Sequence, residues 1–257
     1  MSLVLYTKKD RIGYITLNRP EKRNALSHEL VAELKSTLAQ AEADEEVKVV
    51  VLKAEGDAFC AGADLAYLQQ LQHFSFEENE ADSHHLKELF LQIYQLKKVV
   101  IAQVQGHALA GGCGLATVCD FVFAVPEAKF GYTEVRIGFI PAMVLVFLIR
   151  KIGEQKARHL LLTGDLVQGA AAKEMGLVYT LVAKEELEDK VNEFALKLIT
   201  ANSGRSMQIT KQMIGEVQSM SLQDALNYAA TMNAHARATD DCKNGIAAFL
   251  EKREWKW

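Results

Sequence analysis

Three stretches of this chain carry residues whose types and spacing can do chemistry. The first is Ala102–Asp120, AQVQGHALAGGCGLATVCD. It opens inside an apolar run, Val99–Val104, that reads as a buried strand. Gly106 interrupts the run, and Gly111, Gly112 and Gly114 crowd just before the short apolar segment Leu115–Val118. Strand, glycine turn and helix start, in that order, leave free backbone N–H groups at a helix N-terminus, where negative charge is favoured. Glycines also let a ligand approach the backbone closely. A tight strand-to-helix crossover without a ligand would use the same glycines. The second stretch is Gly56–Leu65, a loop of small residues with a possible helix start at Asp64. Ala61 there and Gly111 in the first stretch each follow a buried strand. Two backbone donors converging on one point would form an oxyanion hole, stabilising charge that develops on a carbonyl oxygen. The third stretch is Lys129–Ile140, KFGYTEVRIGFI, in which Glu134 is the lone carboxylate among apolar and glycine neighbours. Such surroundings raise a carboxyl pKa and suit it to proton transfer near neutral pH. The competing role is a structural glutamate, bound to backbone or to a neighbour such as Arg136.

Other reactive residue types point to packing or to solvent. No serine or cysteine nucleophile signature appears. Cys60 and Cys113 flank the two donor positions, but small buried thiols are the simpler role for them. His84 and His85 fall in a polar helix start, without the partner pair that metal ligation needs. No metal site is expected. Lys22 and Arg23 precede a helix and could meet phosphates, or form a solvated basic turn.

The surrounding elements follow from pattern. Leu3–Thr7 and Ile12–Asn18 read as a hairpin about the polar turn Lys8–Arg11. Ser27 is the expected N-cap of an amphipathic helix over His28–Ala43, with Leu30, Leu34 and Leu38 at helical spacing. Val47–Lys53 and Phe121–Ala124 read as buried strands. Phe74–Asp82, polar and acidic, predicts a mobile excursion before a helix at Leu86–Leu96. Phe139–Ile149 predicts a buried helix, with Pro141 in its first turn. Lys156–Thr163, a turn at Gly164–Asp165, a helix over Ala170–Met175 ending at Gly176 and a strand over Leu177–Val182 follow. From Glu185 onward the pattern is helical, with breaks near Asn202–Gly204 and Met220–Ser221. Strands alternating with helices argue an α/β fold, with a helical layer appended.

Composition sets the outer bounds. The chain has 257 residues, 49% of them hydrophobic, and a net charge of −4. This suffices for one large domain or one domain with an appendage. The mild acidity gives no reason to expect nucleic acid. The four cysteines have neither metal-ligand spacing nor a paired framework, as in a reduced, cytoplasmic protein. The N-terminus lacks the pattern of a signal peptide, and the longest apolar run is about half of what crosses a bilayer.

Taken together, the motifs resemble the crotonase (enoyl-CoA hydratase/isomerase) superfamily over essentially the whole chain. The resembling pieces are LNRPEKRNALS at Leu17–Ser27, FCAGADL at Phe59–Leu65 and GHALAGGCGLATVCD at Gly106–Asp120. FGYTEVRIGFIPA at Phe130–Ala142, LLTGD at Leu161–Asp165 and GIAAFLEKR at Gly245–Arg253 complete the set. The resemblance implies a spiral of ββα units over residues 1–200. It also implies a helical region over residues 201–257 used for trimerisation, commonly as a dimer of trimers. It implies an acyl-CoA thioester as substrate, with coenzyme A part of that substrate and no separate cofactor. It places the oxyanion hole at Ala61 and Gly111, and the catalytic carboxylate at Glu134. Coenzyme A would run along Arg23, Ala25, Ala63, Asp64 and Leu65, with Gly112 and Gly114 also beside the substrate. Phe249 and Lys252 match C-terminal positions that reach the nucleotide, often from a neighbouring subunit.

One departure matters. Typical hydratases of the family use two glutamates; the second matches Glu134, and the first falls on Gly114. A single carboxylate is also the pattern of some Δ3,Δ2-enoyl-CoA isomerases, and a decarboxylase is a further alternative. Gly114 together with EVRIGFIPA more closely resembles bacterial methylglutaconyl-CoA hydratases of leucine catabolism. The expected activity is therefore hydration of a short or branched 2-enoyl-CoA, with isomerisation as the alternative. A non-catalytic acyl-CoA-binding or RNA-binding protein on the same fold is the reading of another class. Acidity speaks against RNA, and retention of Glu134 speaks against a dead site.

Overall fold

The computed structural model describes residues 2–255 and 257. The chain opens with a hairpin, β1 (Val4–Lys9) and β2 (Ile12–Leu17), followed by α1 (His28–Ala43). Then come β3 (Val49–Ala54), β4 (Ala58–Cys60), α2 (Leu65–Leu71) and α3 (Phe76–Gln95). Next are β5 (Val99–Val104), β6 (His107–Leu109) and α4 (Gly111–Val118). β7 (Phe121–Ala124) and β8 (Lys129–Gly131) lead through a 3-10 turn at Glu134–Ile137 into α5 (Ala142–Ile152) and α6 (Glu154–Thr163). β9 (Val167–Gln168), α7 (Gly169–Met175), β10 (Thr180–Leu181) and α8 (Leu187–Ala201) follow. The chain closes with α9 (Gly204–Glu216), α10 (Leu222–Ala238) and α11 (Asp240–Leu250).

The strands form two sheets. The larger has the order β1-β2-β3-β5-β7-β10 and is parallel apart from β1; the smaller has the order β4-β6-β8-β9 and is parallel apart from β9. Three times in succession the chain lays a strand in the large sheet, a strand in the small sheet, and then a helix. This α/β repeat positions the site. Cys60 pairs with Ala108, and Ala108 with Phe130. Parallel neighbours end on the same edge, so the segments that leave β4, β6 and β8 emerge side by side. Those segments are the three stretches that carry the candidate chemistry. Open α/β sheets place ligands at this edge, beyond the carboxyl ends of parallel strands.

Local sequence accounts for most boundaries. α1 spans the expected residues, with the Ser27 hydroxyl accepting from the Leu30 N–H at 3.3 Å. The hairpin turn falls at Asp10–Arg11, both left-handed at φ 51° and 65°, the backbone a two-residue hairpin requires. β3 and β5 lie at the centre of the large sheet, and Val49–Leu52 and Val99–Val104 are buried. Lys211 on α9 reaches Asp120 at 2.7 Å and the Lys98 carbonyl at 3.0 Å, tying the C-terminal helices to the end of α4.

Several expectations are corrected. Phe74–Asp82 is no excursion: Ser75 caps α3 in a reciprocal capping box, accepting from the Glu78 N–H at 3.2 Å while its own N–H donates to the Glu78 carboxylate at 2.7 Å. The acidic run is the first turns of a helix, where negative charge is favourable. The apolar run 139–149 is not a buried helix. α5 starts after Pro141 and buries Val144, Leu148 and Ile152, while Leu145, Val146 and Ile149 face outward with Phe139 and Ile140. The strand expected over Leu177–Val182 shrinks to Thr180–Leu181; Leu177 and Val178 are buried outside it. Thr239 makes a further helix break, its hydroxyl accepting from the Cys242 N–H.

Candidate active site

The first donor sits at the start of α4. Gly111 opens this helix, so its N–H has no intrahelical acceptor. The residue before it, Ala110, has φ 48° and ψ −125°, a conformation that side-chain-bearing residues rarely adopt. Strain of this kind costs about 1–3 kcal/mol and persists where the surroundings impose it. Here the Ala110 N–H donates to the Gly131 carbonyl at 2.8 Å, tying the end of β6 to the end of β8. Gly112 presses against β4: a Cβ there would stand 2.2 Å from the Cys60 carbonyl oxygen. The N-terminus of α4 is thereby fixed against both neighbouring strand ends.

The second donor is displaced from its expected position. The Ala61 N–H donates to the Arg23 carbonyl at 3.0 Å and is engaged within the protein. Ala63 forms a parallel bridge with Leu26, in which Leu26 N–H donates to Gly62 at 2.7 Å and Asp64 N–H donates to Leu26 at 2.9 Å. In that geometry the Ala63 N–H points away from Leu26. Ala63 is exposed, and among the described residues its N–H has no protein acceptor. Gly62, left-handed at φ 92°, brings this turn beside α4: a Cβ on it would lie 2.8 Å from Ala110 Cβ and 3.7 Å from the Gly111 nitrogen. The free donor next to Gly111 is thus two residues beyond Ala61.

Glu134 begins the 3-10 turn after β8 and is half-buried. Its Oε2 is buried with no hydrogen-bond partner among the described residues. Burial raises its pKa above the ordinary glutamate value, opposed in part by its own backbone N–H. The pairing with Arg136 does not occur: that guanidinium turns away to Asp165 at 3.2 Å and lies over Gly164. Tyr132, two residues before Glu134, is fixed against α4. The Thr117 hydroxyl donates to the Cys113 carbonyl at 2.8 Å and lies 2.6 Å from the Tyr132 hydroxyl. The Cys60 and Cys113 thiols are fully buried and pushed up to about 12, so both stay protonated and serve as packing.

The remaining expected residues divide clearly. Asp64 is structural: its Oδ1 caps α2 by accepting from Ala66 at 2.8 Å and Tyr67 at 3.2 Å, while its Oδ2 pairs with Arg19 at 2.7 Å. Arg23 is exposed and left-handed and Ala25 is buried, both in the loop before α1, and Leu65 is exposed at the start of α2. At Gly114, Val144 and Phe90 fill the space a side chain would take. Phe249 and Lys252 lie exposed at the end of α11, which packs chiefly on α10. His85 stacks on His28 at 4.3 Å, and among the described residues no cluster of histidine, cysteine or carboxylate is placed to hold a metal.

Two positioning residues escape sequence reasoning. Asn24 is fully buried; its amide donates to Glu55 and Ala58 carbonyls, both at 2.9 Å, and its oxygen accepts from the Arg19 N–H at 2.8 Å. The available signal was an asparagine in a polar turn, a residue that tolerates the left-handed φ of 54° found there. Lys151, on α5, donates to the Thr117 and Cys119 carbonyls at 3.0 and 2.6 Å and so caps the C-terminus of α4.

Two free backbone donors and a partly buried carboxyl whose Oε2 has no partner among the described residues, on segments that leave three neighbouring strands at one edge, are groups able to polarise a carbonyl and to move a proton. The comparisons agree with this class. The sequence profile described as Enoyl-CoA hydratase/isomerase matches residues 7–257. A Thermus thermophilus protein that carries the enoyl-CoA hydratase name is 42% identical over 250 residues, covering 97% of this chain and 98% of its own. The crotonyl-CoA hydratase of Syntrophomonas wolfei is 33% identical, covering 98% and 96% respectively. The crystal structure of an enoyl-CoA hydratase from Mycobacterium smegmatis superposes with a TM-score of 0.94 at 32% identity, covering 100% of this chain and 99% of that one. The chain belongs to the enoyl-CoA hydratase/isomerase family, the crotonases.

Proposed function

We propose that the protein adds water across the double bond of a short or branched 2-enoyl-CoA, with Glu134 as its acid–base group. Ala63 and Gly111 N–H groups hold the thioester oxygen, in place of the Ala61 and Gly111 pair expected from sequence. The ionised Glu134 takes a proton from water as the water oxygen bonds to C3. The double-bond electrons move through C2 onto the thioester oxygen, giving an enolate held by the two donors. Protonated Glu134 then returns the proton to C2. One water is added, and the carboxylate is regenerated. One such backbone donor is worth about 10²–10³ in rate, and a positioned acid–base group about 10²–10⁴.

The observation that carries this reading is Glu134 itself: a buried, unpartnered carboxyl oxygen with a raised pKa, in the segment adjoining the two free donors. Methylglutaconyl-CoA is the finer substrate reading, supported by the resemblance at Gly114 and Glu134–Ala142. Its second carboxylate needs a cationic partner, and Arg136 would have to leave Asp165 to provide one. Among the described residues no helix is long and apolar enough to cross a membrane. A trimer or dimer of trimers is the assembly that the resemblance implies, and Leu222, Leu226, Ile246, Phe249 and Leu250, exposed on α10 and α11, are apolar surface that it would cover. Coenzyme A would run along the Arg23–Ala25 and Ala63–Leu65 segments, with Phe249 and Lys252 reaching it from an adjacent subunit.

A lone carboxylate equally suits Δ3,Δ2 isomerisation, which needs one group to carry one proton. Incubation with crotonyl-CoA, methylglutaconyl-CoA and a 3-enoyl-CoA, with products weighed by mass spectrometry, separates the readings. Gain of one water supports hydration. A shifted double bond at unchanged mass would replace it with isomerisation, and binding without turnover would overturn both.

A further inference from the structure

Gly114 lies one helical turn after Gly111, on the same side of α4, and is buried. A Cβ built on it stands 2.3 Å from Val144 Cγ1, and 3.1 and 3.4 Å from Phe90 Cζ and Cε1. These neighbours cannot easily yield. Val144 is buried in the first turn of α5, and a β-branched side chain in a helix has essentially one χ1 rotamer. Phe90 is buried on α3 and meets Phe147 edge-on at 6.4 Å, which packs on Tyr94 at 5.2 Å. α5 is held in turn by the two hydrogen bonds from Lys151 to the carboxyl end of α4.

We propose that Val144 is a positioning residue: seated on Gly114, it excludes any side chain from that position, so that among the described residues Glu134 carries the proton without a second carboxylate from α4. This rests on the proposed acid–base role of Glu134, but the contact itself does not. Its chemical consequence is that one carboxyl must both receive the proton of water and deliver it to C2. A carboxylate at position 114 could share that work only if Val144 made room. Positions 114 and 144 are therefore coupled, and a second carboxylate requires both to change.

The test is a double-mutant cycle of Gly114→Ala and Val144→Ala, followed by Gly114→Glu with and without Val144→Ala. Melting temperature, kcat on crotonyl-CoA and the pH profile of kcat are the readouts. Gly114→Ala is expected to lower Tm by several degrees and kcat at least tenfold, and Val144→Ala to recover most of both. Gly114→Glu with Val144→Ala should add a second ionisation to the pH profile, a change that packing alone cannot produce. The proposal is overturned if Gly114→Ala matches the parent in Tm, if the two alanine effects simply add, or if Gly114→Glu alone folds normally and gains the second ionisation. Should the parent hydrate no thioester, the reading of function fails, while the Tm cycle still decides the coupling. Should Gly114→Glu fail to fold even with Val144→Ala, the claim that Val144 alone bars a second carboxylate is overturned, while the alanine cycle still decides the contact.

Discussion

Gly111 and Gly112 are adjacent glycines with different reasons to be glycine, and substituting each by alanine separates them. At Gly112 the new Cβ would stand 2.2 Å from the Cys60 carbonyl oxygen and 2.7 Å from Cys60 Cβ. Ordinary contact begins near 3.4 Å, so α4 must retreat from β4 by about 1 Å. Overpacking costs about 1–3 kcal/mol, and more where the backbone must move. A loss of about 3 kcal/mol would lower Tm by roughly 6–12 °C in a chain of this size. The same retreat carries the Gly111 N–H away from the substrate oxygen, and a 1 Å misplacement can cost about 10²-fold in rate. At Gly111 the new Cβ meets only Leu26 Cδ1, at 3.0 Å, the far end of a side chain. Gly111 is the first residue of α4 and its one close neighbour is a side-chain end that can give, so the net change should stay within about 1 kcal/mol. Thermal and urea unfolding, with kcat on crotonyl-CoA, measure both variants. A Gly112→Ala protein with parental Tm and kcat would refute the claim that this contact sets the donor.

Glu134→Gln should alter stability with a definite sign. The folded-state pKa is raised, so the parent loses stability as pH rises from the ordinary glutamate value through the folded one, and glutamine does not titrate. The variant should therefore match the parent near pH 4 and melt higher at pH 7.5, a difference to be followed by calorimetry. Asp64→Ala should cost about 3 kcal/mol, from the lost α2 cap and from leaving Arg19 unpaired, and kcat should fall as Ala63 shifts. Equal kcat in both proteins would count against Ala63 as a donor. Ser75→Ala should cost about 1 kcal/mol and speed amide exchange at residues 76–79 alone.

Much of the fold could be read from the sequence because its long elements are strongly periodic. His28–Ala43 repeats leucine every four residues, and Val99–Val104 is apolar without interruption. β4, β6 and β8 could not be read: strands of three residues are too short to show a period of two, and their pairing with one another is a tertiary fact. Yet this small sheet is what brings the three chemical stretches to one edge. Glu134 was legible as a lone carboxylate in an apolar loop. The candidate donors were legible only as small residues, since a backbone N–H has no side-chain signature; whether the Ala61 or the Ala63 N–H is free depends on the carbonyls of Arg23 and Leu26. The acidic run at Glu77–Asp82 misled for the opposite reason. Its charges suggested an excursion, while the Ser75–Glu78 capping box beneath them starts a helix.

The most direct test of the assignment of Glu134 is a comparison of the parent with Glu134→Gln in deuterium oxide. Hydration of crotonyl-CoA and deuterium incorporation at C2 are followed together by mass, with acyl-CoA affinity measured alongside. The account predicts that both rates fall together by about 10²–10⁴-fold while affinity is retained. Hydration and C2 labelling within tenfold of the parent would contradict it, and the proton would have to be carried by another group.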